Sequence, residues 1–173
     1  MDVETACAMS EELTSRPPEE SDLLAVCKSL NAHQARYLVI GGFAMIHAGF
    51  PRTTIDIDLL IDAEPANEAS VLKALEILPD QAVKELRPGE VATYTVVRVA
   101  DEIVVDLMKS ACGIEYPEAI REAVFHEAHG VRIPFASPTL LWRMKAATHR
   151  EKDRPDLMFL RTYFEERGES PPA

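Results

Sequence analysis

Asp56 and Asp58 stand two positions apart in the run Ile-Asp-Ile-Asp-Leu-Leu-Ile at residues 55–61. In extended chain, alternate side chains share a face, so both carboxylates would project together with Cα atoms about 7 Å apart. Ile55, Ile57 and Leu59 would take the opposite face. Two anions held side by side repel each other unless a cation sits between them. The pattern therefore points to metal chemistry, and the plainer reading is a polar face turned to water, as in many antiparallel sheets. Asp106 lies in a second apolar run, Ile-Val-Val-Asp-Leu-Met at residues 103–108. Three hard oxygen ligands from two strands suit octahedral magnesium, with water and phosphate oxygens completing the shell.

Gly41 and Gly42 follow the run Tyr-Leu-Val-Ile at residues 37–40. A glycine pair between a strand and a helix can hold phosphate on its backbone N–H groups, although it is also an ordinary turn. Arg52, Thr53 and Thr54 precede Asp56 and would offer one charge and two hydroxyls to a phosphate.

These groups need strands and helices to position them. Ser21-Asp22 can cap a first helix. Residues 37–40 read as a buried strand, 43–49 as a short helix and 55–61 as the clearest strand. Residues 65–78 read as a helix. Residues 91–99 and 103–108 read as a β-hairpin turning at 100–102. A short helix is expected at 117–124, then a hairpin turning at His129-Gly130, with 131–135 as an edge strand that tolerates Pro134. Ser137-Pro138 opens a helix in N-cap and N1 order, and 153–166 reads as the last helix. The fold class expected is α/β (α+β), a small mixed twisted sheet with flanking helices and a helical C-terminus. Residues 1–20, ending in Arg-Pro-Pro-Glu-Glu, read as a flexible tail, and 21–173 as one domain.

Composition bounds the function. Of 173 residues, 47% are hydrophobic, which suits a packed core. The net charge is -11, which repels phosphate backbones and argues against an autonomous nucleic-acid binder, while leaving open an anionic ligand held through a cation. No apolar run reaches the roughly 20 residues that cross a bilayer. The acidic first ten residues do not resemble a signal peptide, so a cytoplasmic protein is expected. The 3 cysteines, Cys7, Cys27 and Cys112, fit neither a disulfide framework nor a zinc site. Cys27 and Cys112 are expected to be buried. His47 is expected to pack half-buried, His126 and His129 to flank a turn, and Trp142 to lie in the core.

Gly41-Gly42, a short helix, Arg52-Thr53 and then Asp56-Ile-Asp58 resemble the signature of the polymerase-beta-like nucleotidyltransferase superfamily. The stretch Arg-Thr-Thr-Ile-Asp-Ile-Asp-Leu-Leu-Ile at residues 52–61 is particularly similar to minimal bacterial nucleotidyltransferases and abortive-infection toxin-type (AbiEii-like) relatives. The helix ending in Lys145 and the stretch Arg150-Glu-Lys-Asp153-Arg-Pro-Asp156 resemble them too. The likeness covers about residues 22–165. It departs at Gly-Gly-Phe, which lacks the serine that many transferases place on the triphosphate.

The resemblance implies that Asp56, Asp58 and Asp106 bind two magnesium ions with a nucleoside triphosphate, and that Asp106 acts as base toward the acceptor hydroxyl. It implies that Gly41, Gly42, Arg52 and Thr53 attend the nucleotide and that Lys145 neutralises triphosphate, against a plainer place on a solvated helix face. Asp153 and Asp156 are expected to pair with Arg150 or Arg154. The reaction implied is transfer of a nucleoside monophosphate to a hydroxyl of a protein, small molecule or RNA, in a possible toxin–antitoxin setting with a partner protein as acceptor or antitoxin. The alternative is an inactive module of the same fold that binds a partner protein.

Overall fold

The computed structural model describes residues 14–173, so Cys7 and most of the expected tail lie outside the described residues. Ser15 and Arg16 are already placed. The Ser15 hydroxyl donates to the Asp101 carbonyl at 2.6 Å, and the Arg16 amide donates to the Glu102 carbonyl at 2.8 Å.

Helix α1 (Glu20–Ala32) begins with a capping box in which Glu19 and Asp22 satisfy each other's backbone N–H groups. It buries Leu23, Val26, Cys27 and Leu30. Strand β1 (Tyr37–Ile40) is buried throughout and runs directly into α2 (Gly41–His47). Strand β2 (Asp56–Ile61) follows a loop, and α3 (Pro65–Ala74) follows β2 with proline in its first turn. The helical reading to residue 78 tightens at Leu75–Ile77 into a 3-10 turn.

Part of the β reading over 91–99 is overturned. Glu90–Thr93 forms a single helical turn, α4, and strand β3 begins only at Val97–Ala100. Val91 is fully buried in that turn, so a core contact overrides its β propensity. Strand β4 is Val104–Met108. Two short strands, β5 (Ser110–Ala111) and β6 (Ile114–Glu115), pair apart from the main sheet. A short helix α5 (Tyr116–Ala119) leads to β7 (Ala123–Ala128), β8 (Val131–Ala136), α6 (Pro138–Ala146) and α7 (Arg154–Glu165). The Ser137 hydroxyl caps α6 by accepting from the Leu140 amide at 3.2 Å.

The main sheet has the order β3-β4-β2-β1-β8-β7. It is mixed: β2 runs parallel to β4 and β1 parallel to β8, with the remaining pairs antiparallel. Strand β8 is therefore interior, not the expected edge strand, and β7 is the edge. Pro134 survives there because β8 meets β1 in register only at Val39 and Phe135, so the missing N–H falls beyond that rung. The core joins β1, β2, β4 and β8 to the apolar faces of α1, α3 and α6, with Leu38, Leu59, Leu107 and Leu140 fully buried. Cys27 lies in it, but Cys112 is exposed in a tight turn with φ of 53°, contrary to the expectation of burial. The Ser110–Glu115 hairpin holds it off the core.

The β3–β4 turn is fixed by Asp101, a buried carboxylate that accepts from three amides: Asp80 at 2.9 Å, Ala82 at 3.0 Å and Glu102 at 2.8 Å. Among the described residues no helix is long and apolar enough to cross a membrane.

Candidate functional site

The sheet register assembles the acidic site. Ile40 pairs with Asp58, Asp58 with Asp106, and Asp106 with Arg98, so one rung crosses β1, β2, β4 and β3. Residues directly opposite in neighbouring strands put side chains on the same face. Asp56 shares that face because it stands two positions before Asp58. Asp56, Asp58 and Asp106 each bring a carboxylate oxygen within 4.8 Å of the others. Asp106 is buried and the other two are half-buried.

Crowding has an electrostatic consequence. Burial, reinforced by the charges of Asp56 and Asp106, pushes Asp58 up to about 7 from its ordinary value of 3.8. The positive charge of Lys145 opposes that shift. Asp58 thus sits where a proton or a cation relieves it.

Arg98, which the sequence reading did not single out, supplies the cation. Its guanidinium grips Asp106 with Nε on one carboxylate oxygen at 2.9 Å and Nη2 on the other at 2.7 Å, and Nη2 lies 3.5 Å from Asp56. The sequence did carry a signal. A hairpin turning about Glu102 sets Arg98 opposite Asp106, four residues from the turn on each arm.

Gly41 takes a left-handed φ of 65°. A β-carbon there would fall 2.1 Å from Oδ2 of Asp58, and one on Gly42 would fall 2.5 Å from the Thr54 hydroxyl. Both glycines therefore let the start of α2 close on β2. Thr54 in turn donates to the carbonyl of Asp56 at 3.0 Å, which ties down the entry to the strand.

The remaining expected residues form a second layer of charge. Lys145 is buried, with Nζ 2.7 Å from Asp156 and 3.1 Å from Asp153; the solvated helix face is not where it lies. Arg52 holds Asp156 through Nη1 at 2.7 and 2.5 Å. Asp153 also accepts from Arg150 at 2.7 Å and from the Thr148 hydroxyl at 2.9 Å. Asp153 thus meets the expected Arg150, whereas Asp156 is held by Arg52 and Lys145 and not by Arg154, which approaches Glu151. Thr53 is exposed. This network fastens the loop before β2 to α6 and α7. Trp142 is half-buried and donates from Nε1 to the Pro172 carbonyl at 3.0 Å. His47 is half-buried and stacks on Phe135 at 4.1 Å, where burial and nearby His126 hold its proton affinity down.

No family model matches the chain, and no curated protein matches it in sequence. Solved structures resemble it in fold. An antigenic nucleotidyltransferase-like protein of Paracoccidioides brasiliensis superposes with a TM-score of 0.50 at 16% identity, over 85% of this chain and 78% of that one. The fold is that of nucleotidyltransferase-like proteins. A Thermotoga maritima protein provisionally assigned as a nucleotidyltransferase gives a TM-score of 0.49 at 18% identity, over 84% of this chain and 91% of the other. A Helicobacter pylori protein gives 0.46 at 20% identity, over 83% and 65%. At these identities the likeness concerns the fold, and chemistry must be argued from the site.

The donor set fits a divalent cation. Three carboxylates converge from adjacent strands, and a glycine without Cβ opens onto one of them. Three anionic oxygen donors match a hard ion such as magnesium.

Proposed function

We propose that the chain is a magnesium-dependent nucleotidyltransferase that moves a nucleoside monophosphate from a nucleoside triphosphate to an acceptor hydroxyl. The observation that carries the proposal is the convergence of Asp56, Asp58 and Asp106 within 4.8 Å on one sheet face. A magnesium pair would supply charge neutralisation for the attacking and leaving oxygens. Asp56 and Asp58, from one strand, would hold both ions, and Asp106 would complete the site nearest the acceptor. Asp106 would also take the proton of the acceptor hydroxyl.

Gly41 and Gly42 would keep the backbone of α2 close to the phosphates, as bulkier residues would displace Asp58 and Thr54. Lys145 and Arg52 would support the triphosphate site from α6 and the loop before β2. Their charge is committed to Asp153 and Asp156 in this state, so their contribution is a field and a rigid wall. The sequence likeness of residues 52–61 to toxin-type relatives extends the proposal to a protein partner, as acceptor or as antitoxin, and to a cytoplasmic setting.

The test is incubation with each of the four labelled nucleoside triphosphates and magnesium, followed by a search for label on the protein itself, on RNA and on small molecules. Transfer that disappears in Asp56→Asn and Asp106→Asn supports the proposal. Absence of nucleotide binding at millimolar concentration overturns it in favour of an inactive module of this fold that binds a partner protein.

A further inference from the structure

The acidic trio carries its own cation. Asp106 is 93% buried at its side chain, and its hydrogen bonds come from Arg98, whose own side chain is 57% exposed. The same guanidinium reaches Asp56 at 3.5 Å. Arg98 stems from β3, the outermost strand of the sheet on this side. One end of the ion pair is thus fixed in the core, and the other is a long side chain on an edge strand with open solvent around it.

A divalent ion bound between Asp56 and Asp106 competes with Arg98 for the oxygens it now holds. A bare ion makes that a poor exchange. It displaces a guanidinium from a bidentate pair and leaves two cations side by side. An ion that arrives on a polyphosphate brings several anionic oxygens with it, and the displaced guanidinium, a fork matched to phosphate geometry, can turn to those. The two bindings are then linked through one side chain: metal frees Arg98, and phosphate receives it.

We infer that Arg98 is an exchangeable counter-ion that makes the acidic site select a metal–polyphosphate complex over the free metal ion. This inference rests on the nucleotidyltransferase reading of the same site. It adds a selectivity device that the three carboxylates alone would lack. They would take up a bare divalent ion readily, whereas the site with Arg98 in place stays closed to it.

The test compares wild type with Arg98→Gln and Arg98→Lys, measuring Mn2+ alone by electron paramagnetic resonance. Calorimetry then measures Mn2+ with the α,β-methylene analogues of ATP, GTP, CTP and UTP. Arg98→Gln should bind bare Mn2+ at least tenfold more tightly than wild type and the Mn2+–nucleotide complex at least tenfold more weakly. Arg98→Lys, which keeps the charge but not the fork, should fall between, and it also serves if the Gln variant does not fold. Wild type that binds a Mn2+–nucleotide complex, with bare-metal affinity unchanged within twofold in both variants, overturns the role of Arg98 and leaves the enzyme reading standing. Wild type that binds neither overturns both.

Discussion

A β-carbon on Gly41 would lie 2.1 Å from Oδ2 of Asp58: the turn that ends β1 and the central carboxylate of β2 occupy adjoining space with no room for a methyl group. Gly41→Ala therefore faces two penalties, the left-handed φ of 65° and the overlap with Asp58. The first alone costs about 1–2 kcal/mol, and the second should take the total to about 3 kcal/mol or more. In an Asp58→Gly background the overlap is gone and only the conformational cost should remain. Urea denaturation of the four proteins of this cycle checks it, and simple additivity of the two substitutions would refute the contact.

Metal-free stability should depend on pH through Asp58. Its folded value stands at about 7, above the ordinary 3.8. The native state then binds more protons than the unfolded chain between those values, and stability falls as pH rises from 4 to 7. The penalty is fully present above pH 7 and absent below 4, and amounts to on the order of 2–4 kcal/mol. Asp58→Asn should remove that slope, leaving the apo protein as stable as wild type at pH 4 and more stable at pH 8. The same variant should lose the thermal shift given by magnesium with nucleotide. Chemical denaturation across pH in a chelating buffer reads the difference. A variant less stable than wild type at pH 8 would mean that the Asp58 carboxylate is a structural partner.

Magnesium–nucleotide binding should release protons for the same reason. A cation beside Asp58 favours its charged form, so affinity should rise as pH climbs from 6 to 8 and then level off. Calorimetry in two buffers of different ionisation enthalpy measures the release, and a pH-independent affinity would contradict a raised Asp58.

Lys145 should matter for folding as much as for any ligand. Its ammonium lies buried between Asp153 and Asp156, and removal leaves two carboxylates with fewer partners. Lys145→Ala should cost about 2–5 kcal/mol, whereas Arg52→Ala, from a more exposed side chain, should cost about 1–2 kcal/mol. Equal and small effects in denaturant titrations would contradict the network.

Asp101 makes a similar claim at a site remote from the chemistry. Its carboxylate accepts from the amides of Asp80, Ala82 and Glu102. Asp101→Ala strands those donors and should cost about 3–5 kcal/mol, since hydrogen bonds to charged groups are worth about 1.5–3 kcal/mol each and are not fully additive. The turn it fixes also sets the register of Arg98 against Asp106. The variant should therefore bind bare Mn2+ differently from wild type even under conditions where it is folded, which a binding isotherm at low temperature would show.

The sequence by itself determined the local chemistry. Alternation placed Asp56 and Asp58 on one face of β2, and apolar runs placed β1 and β4 on either side of it in the chain. The proline and serine signals located the start of α6. These are short-range properties, written in the period of the side chains. What the sequence left open was pairing. Nothing in residues 103–108 says that β4 lies parallel to β2 with Asp106 level with Asp58, nor that β8 enters beside β1 and becomes interior. Those choices come from long-range packing, in which Val91 goes to the core as a helical turn instead of extending β3. The charges show the same division. Arg52, Lys145, Asp153 and Asp156 were all visible as residues, but only the docking of α6 and α7 against the loop before β2 made one buried network of them. Arg98 faces Asp106 through the local hairpin register, but its approach to Asp56 needs β4 to lie beside β2. Ion pairs across strands depend on which rungs coincide, and that is decided by the whole sheet.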